Sequence, residues 1–202
     1  MKTAVKMQRE GQASWPDDRL VAECLKGDHQ AWSALLDKYK NLIFSIPIKL
    51  GLYEDAADIF QAVCLDLLTD LPRLREPRAL PKWLMQTCYH KCLQYRRRAE
   101  KHVPLTEEDG ETLLANGSPS AGSPSTLPED MLVQLEREQI VRDAISELSP
   151  RCERMVRMLF FETPPRPYQE IAKELGMATG SIGFIRGRCL GKLKQQLENM
   201  GF

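Results

Sequence analysis

Large apolar residues recur at helical spacing in both end blocks of this 202-residue chain. Between Asp28 and Pro47, for example, Trp32, Leu36 and Tyr39 follow one another at intervals of four and three. No run alternates apolar and polar residues in the manner of a half-buried strand. The sequence therefore predicts an all-α fold.

The N-terminal block carries four such helical patterns, and the first two run to glycines, which stop helices. They run from Pro16 to Gly27, from Asp28 toward Gly51, from Asp55 to Leu71, and from Leu80 to Arg98. We expect a helical domain over 14–100, preceded by a disordered polar extension at 1–13.

The middle of the chain changes composition. Clusters of Gly, Ser, Pro and Thr fill 101–130, and residues 100–130 contain seven acidic side chains and one basic. Such a segment buries too little apolar surface to offset its ordering entropy. It predicts a flexible acidic linker, although a long surface loop has the same composition. Helical patterns resume over 131–202, so the fold expected is two small helical domains joined by that linker.

The segment from Tyr168 to Leu193 consists of two helical patterns around a glycine. Ala172 allows two helices to approach closely, and Gly176 suits the positive φ of a tight helix exit. Ile182 then fills the angle between the helices. This spacing predicts a helix-turn-helix.

The second helix of this segment has an apolar side and a basic side. Between Thr179 and Leu197 it carries four basic residues and no acid, which suits a phosphate-lined major groove. A solvated basic face is the simpler alternative. The residues expected to contact duplex DNA are Thr179, Ser181, Phe184, Arg186, Arg188 and Lys192.

Four glycines, Gly180, Gly183, Gly187 and Gly191, fall on one side of the same helix. Each lowers helix stability by ~1 kcal/mol relative to alanine. Either the bare surface lets DNA or another helix approach the backbone, or the helix is intrinsically weak and is held by packing.

A second cationic feature lies between the third and fourth helical patterns. Arg73, Arg75 and Arg78 occupy a proline-punctuated loop, and Trp83 follows on the next helix. Cations beside an aromatic ring suit a single strand with unstacked bases. Packing in the core is the alternative role for Trp83.

The six cysteines include no CxxC pair, and most lie at apolar helical positions. They are expected to be buried free thiols in a reducing, cytoplasmic setting. On a helix, His90 points away from Cys88 and Cys92, so the sequence predicts no metal site. It also predicts no other cofactor and no catalytic residue.

The N-terminus lacks the apolar region of a signal peptide, and no stretch approaches the length of a membrane span, so no membrane association is expected.

The ordered set of segments resembles the sigma factors of bacterial RNA polymerase, specifically the extracytoplasmic function (ECF) group. The resemblance covers roughly 17–98 and 140–197. It is carried by DRLVAECLKGDHQAWSALLDKY, EDAADIFQAVCLDLL, WLMQTCYHKCLQYRRR, DAISELSPRCERMVRMLFFE and the helix-turn-helix itself. The chain departs from the group at Ala57 and Ala62, where Glu is common, and at His90 and Gln94, where Asn and Asp are usual.

The resemblance implies a transcription initiation factor that binds core RNA polymerase, recognises a two-part promoter and helps to melt it. The implied polymerase-binding residues are Asp55, Asp58, Gln61 and Asp66. The implied downstream promoter and melting residues are Arg73, Arg75, Arg78, Trp83, His90, Arg96 and Arg97. Promoter DNA and core polymerase are the implied partners, and an inhibitory anti-sigma protein would cover Asp55 to Leu71 or the hinge helix.

Three other classes of protein predict different behaviour. A stand-alone helix-turn-helix regulator would be a symmetric dimer on palindromic DNA, whereas a sigma factor would be a monomer that needs polymerase. A protein-interaction module would use its helices without DNA. An enzyme is the least favoured class, because the sequence has no nucleophile and base arrangement and no phosphate loop.

Overall fold

The computed structural model describes residues 15–101 and 126–202, and all regular elements in those ranges are helical. The helices are α1 (Asp17–Leu25), α2 (His29–Lys49), α3 (Ala56–Asp70), α4 (Leu80–Lys101), α5 (Glu129–Ser146), α6 (Pro150–Phe160), α7 (Tyr168–Glu174) and α8 (Ile182–Asn199). Short 3-10 turns occupy Leu71–Arg73, Pro77–Ala79 and Thr179–Ser181. The all-α prediction is confirmed. No helix of the described ranges is both long and apolar enough to cross a membrane.

Two compact units divide the chain between Leu135 and Glu136, inside α5. The predicted boundary at residue 131 lies about one turn earlier. The predicted N-terminal extension and most of the predicted linker fall in 1–14 and 102–125, outside the described residues.

The N-terminal unit is built around α2, which contacts α1, α3 and α4. Its apolar positions at helical spacing are fully buried, as Leu35, Leu42 and Ile46 illustrate. A polar contact fixes α1 on this core, because the Asp17 carboxylate accepts hydrogen bonds from Lys38 Nζ at 2.8 Å and from the Tyr39 hydroxyl at 2.7 Å. The frame that carries the predicted melting helix is thus tightly packed.

Residues 127–135 also belong to the N-terminal unit. Leu127 and Leu135 are buried in its core cluster. The Leu127 backbone N–H donates to Gln86 Oε1 of α4 at 3.2 Å, and the amide nitrogen of Gln86 lies 3.1 Å from His90 Nε2. The last residues of the predicted linker are therefore packed against α4.

The C-terminal unit joins α6 to α8 around a small apolar cluster that includes Leu148, Met155 and Val156. Cys152 of α6 and Cys189 of α8 form a disulfide within this cluster. The prediction of free thiols is wrong for these two residues, because helical spacing cannot show that two distant cysteines meet. The other four, Cys24, Cys64, Cys88 and Cys92, are free thiols, and all but the half-buried Cys64 are buried as expected.

The helix-turn-helix prediction is confirmed. Gly176 ends α7 with φ of 61°, a conformation that glycine adopts without strain. Ile171, Ala172 and Ile182 are buried together between the two helices. The angle between α7 and α8 is thus filled by the residues that the spacing indicated.

The connection between α6 and α7 is held by charge. Arg166 pairs with both Glu162 and Glu174, and its Nη1 lies 3.8 Å from Met158 Sδ. Burial alone would lower the pKa of Arg166, but the charges of Glu162 and Glu174 together outweigh it and raise this pKa above its usual value. This arginine ties the loop after α6 to α7, the first helix of the helix-turn-helix.

Candidate nucleic-acid interface

The outer face of α8 gathers most of the residues predicted to contact duplex DNA. At 100° per residue, Ser181, Phe184, Arg188 and Lys192 fall within one narrow arc, and all four are exposed. An adjoining side of the helix is buried at Ile182 and Cys189. Packing of that apolar side thus turns the basic side to solvent.

Phe184 and Arg188 form a mixed aromatic and cationic patch on this face. The Phe184 ring is 71% exposed, and the guanidinium carbon of Arg188 lies 5.8 Å from its centroid. A ring can contact a thymine methyl, and a guanidinium can bind the O6 and N7 of guanine. The pair therefore offers both kinds of contact by which proteins distinguish bases in the major groove.

Arg186 lies on a different side of α8. Its Nη1 donates to the Tyr168 hydroxyl of α7 at 2.6 Å, so this guanidinium links the two helices of the motif. Thr179 is exposed in the 3-10 turn before α8. The structure therefore groups four of the six predicted residues and leaves these two beside them.

The glycine side of α8 is open. Apart from its chain neighbours and the local helix backbone, a Cβ atom added at Gly180, Gly183, Gly187 or Gly191 would meet no atom of the described chain within 4 Å. Close packing within the described part of the protein therefore does not require these glycines. The remaining explanations are approach by an external partner and an intrinsically weak helix.

Gly187→Ala is expected to stabilise the protein by ~1 kcal/mol, because alanine restricts the unfolded chain and favours the helix. The melting temperature of the C-terminal unit should rise by about 4 °C or more. Differential scanning calorimetry measures the change. Gly176→Ala is the matched control, and it should lower stability because Gly176 has a positive φ. A Gly187→Ala protein that melts below the wild type would contradict the prediction, and a loss of DNA-dependent activity in a stabilised protein would favour close approach by DNA.

The arginine loop of the N-terminal unit is exposed. Arg73, Arg75 and Arg78 lie between α3 and α4 with their side chains in solvent, and Arg73 Nη1 is 3.2 Å from the Asp70 carboxylate. Trp83 is partly buried against the core. Its ring thus has a packing role, the alternative left open by the sequence, and keeps a partly exposed surface.

One side of α4 carries residues seven apart. Trp83, His90 and Arg97 repeat at this interval and therefore lie on the same side of the helix. His90 is half-buried next to Gln86, whereas Arg96 and Arg97 are exposed. Trp83, His90 and Arg97, three of the predicted melting residues, thus form a strip along α4.

The predicted polymerase-binding residues divide into two groups on α3. Asp58 and Gln61 are exposed on one face, whereas Asp66 pairs with Lys91 of α4, with 2.7 Å between Oδ2 and Nζ. Asp55 is half-buried at the start of the helix. The charge of Asp66 is therefore already partly satisfied within the chain.

Sequence reasoning missed two residues on the face of Asp58 and Gln61. Leu65 and Leu68 are 65% and 59% exposed, and they continue that face one and two turns further along α3. Exposed leucines beside polar groups are characteristic of protein interfaces. Their positions at i+4 and i+7 from Gln61 are the signal that could have found them. Asp58, Gln61, Leu65 and Leu68 are called the α3 face below.

The described residues contain no group of three or more potential metal ligands. Cys88 is buried and directs its Sγ to the Ile43 carbonyl oxygen at 3.3 Å. A hydrogen bond with Cys92 and burial raise the pKa of this thiol, and burial followed by the charge of Asp28 raises the pKa of Cys24 to about 12. These thiols are therefore structural at neutral pH.

Comparison with known proteins matches nearly the whole chain to sigma factors. The RNA polymerase sigma-H factor of Bacillus subtilis (strain 168) is 25% identical, over 96% of this chain and 94% of its own length. The ECF RNA polymerase sigma factor SigD of Mycobacterium tuberculosis (strain ATCC 25618 / H37Rv) is 27% identical, over 91% of this chain and 85% of its own length. The chain is a relative of the ECF sigma factors. No family model matches it.

For a sigma-factor relative, the length of chain that the match covers matters as much as the sequence identity. Coverage above nine tenths of the chain includes both helical units, whereas a shared helix-turn-helix alone would cover only the C-terminal one. The resemblance drawn from the sequence is thereby confirmed for the chain as a whole.

Proposed function

We propose that this protein is a transcription initiation factor that binds core RNA polymerase, recognises a two-part promoter and helps to melt it. The observation that carries the proposal is the similarity to sigma factors across both units. The two exposed cationic surfaces support it. In this proposal the outer face of α8 contacts the upstream duplex, and the arginine loop with the strip on α4 contacts the opened downstream strand.

The net charge of the chain supports the proposal that its binding to DNA depends on polymerase. The chain has no net formal charge, with 28 basic and 28 acidic residues. Attraction to phosphate is therefore weak for the whole protein, although each cationic surface is locally favourable. Attachment to polymerase converts two weak DNA contacts into one multivalent contact. The free protein is accordingly a monomer that binds duplex DNA poorly.

The α3 face is the proposed contact with core polymerase. Asp58 and Gln61 supply a charge and a hydrogen-bonding amide, and Leu65 and Leu68 supply apolar area. Asp55 and Asp66 lie beside this surface and have smaller roles, because Asp55 is half-buried and Asp66 is paired with Lys91. An anti-sigma protein that covered the α3 face would block polymerase.

Reconstituted transcription tests the proposed function. Purified protein and core polymerase are incubated with a library of genomic fragments, and the 5′ ends of the transcripts are mapped. We expect initiation at a limited set of sites that share two separated sequence elements, and none from core polymerase alone.

The alternative is a stand-alone dimeric helix-turn-helix regulator. It predicts a dimer in size-exclusion chromatography and tight binding of the isolated protein to palindromic DNA. Finding both, with no polymerase-dependent transcripts, would replace the proposed function by this alternative.

A further inference from the structure

The disulfide of the C-terminal unit joins two helices that are distant in sequence. Cys152 is the third residue of α6 and Cys189 lies in the middle of α8, 37 residues later. Their Cα atoms are 5.3 Å apart, within the range that a disulfide spans. The backbone thus holds the two sulfur atoms in position to bond.

The disulfide supplies a large part of the contact that holds α8 in place. Ile182 and Cys189 are the only residues of this helix that are fully buried. Ile185 and Leu193 are partly buried on the same side, and the neighbouring side is occupied by glycines. Formation or loss of this one covalent bond therefore acts directly on the helix that carries the candidate DNA-contacting residues.

The other cysteines are poor candidates for the same chemistry. Cys24 and Cys88 are buried thiols whose pKa values are raised, and no partner bridges Cys64 or Cys92. Cys152 is different, because it lies in the first turn of α6 and its sulfur is bonded to that of Cys189 in α8. Cys189 is 1% exposed behind it.

We propose that Cys152 and Cys189 form a reversible thiol–disulfide switch that locks α8 onto α6 when it is oxidised. A low-molecular-weight disulfide of the glutathione class is the oxidant. The Cys152 thiolate attacks one of its sulfur atoms, forming a mixed disulfide and releasing one small thiol. The Cys189 thiolate then attacks the Cys152 sulfur, and the second small thiol leaves with the remaining proton. Two protein thiols are oxidised and one small disulfide is reduced, and reduced thiol drives the same steps backward.

Oxidation should raise the thermal stability of the C-terminal unit. A bond that closes a loop of 37 residues removes conformational freedom from the unfolded chain. For a unit of this size, the melting temperature should rise by about 10 °C or more. An influence of this lock on promoter recognition rests on the proposed function, whereas its influence on stability does not.

The test compares the full-length protein equilibrated with oxidised glutathione and with dithiothreitol. Alkylation followed by peptide mass spectrometry should show Cys152 and Cys189 protected after oxidation and modified after reduction. Calorimetry should show the higher melting temperature only in the oxidised sample. Cys152→Ala and Cys189→Ala should each abolish this difference, and Cys64→Ala, the matched control, should retain it.

Three results would overturn the switch. The first is equal melting of the oxidised and reduced wild-type protein, a comparison that needs no variant to fold. The second is alkylation of Cys152 or Cys189 after oxidation. The third is resistance of the bond to dithiothreitol in the folded protein, which would make it a permanent link. None of these measurements involves polymerase or DNA, so failure of the switch is separate from failure of the proposed function.

Discussion

Asp58→Lys is expected to abolish transcription that depends on core polymerase while leaving the protein folded. Asp58 is exposed in the first turn of α3, within the α3 face. Reversal changes the local charge by two units within a proposed interface, where a like-charge contact costs several kcal/mol. Transcript yield from a mapped promoter and co-purification with core polymerase should both fall below detection.

Loss of folding must be separated from loss of binding in this experiment. A cation in the first turn of a helix is unfavourable by about 0.3–1 kcal/mol, so the melting temperature should fall by only a few degrees. Asp37→Lys is the matched control, because Asp37 is an acid of the same unit whose partner, Lys40, is also exposed. Wild-type transcript yield from Asp58→Lys would remove the α3 face from the proposed polymerase contact.

Arg188→Ala is expected to weaken recognition of the upstream promoter element by about 1–3 kcal/mol, or roughly 5- to 150-fold. The guanidinium is exposed on the outer face of α8 beside the Phe184 ring and has no acidic partner among the ion pairs of the described residues. It is therefore available for a bidentate contact with a base. Transcription from promoters with and without the intact upstream element measures the effect.

Lys194→Ala controls for general loss of positive charge from α8. Lys194 is exposed near Glu198, with 3.7 Å between Nζ and the carboxylate oxygen, so its charge is already partly balanced. It should affect all promoters slightly and equally. Equal losses from Arg188→Ala and Lys194→Ala on every promoter would mean that Arg188 contacts phosphate rather than a base.

The fold was largely predictable because its signals are local. Helical spacing and the stop residues located the helices of the N-terminal block, and Gly176, Ala172 and Ile182 located the helix-turn-helix. The exposed residues of α8 were predicted from the same helical spacing, because the apolar side of an amphipathic helix determines where its polar side points.

Contacts between distant residues were not predictable in this way. The bridge between Cys152 and Cys189, the pairing of Asp66 with Lys91 and the hydrogen bond between Arg186 and Tyr168 all join different helices. The spacing of residues along one helix contains no information about its neighbour. Leu65 and Leu68 were overlooked for a related reason, since an apolar residue on a helix is expected in the core until a structure shows it in solvent.

Ionic strength should act on this protein in two places, because Arg166 holds the first helix of the motif through charge. The side chains of Arg166 and Glu162 are each 36% exposed and that of Glu174 is 47% exposed, so dissolved ions screen both pairs. Added salt therefore weakens the support of α7 as well as the attraction of α8 to phosphate. The logarithm of promoter affinity would then fall with the logarithm of salt concentration more steeply than counterion release alone predicts. The number of neutralised phosphates calculated from that slope would be too high.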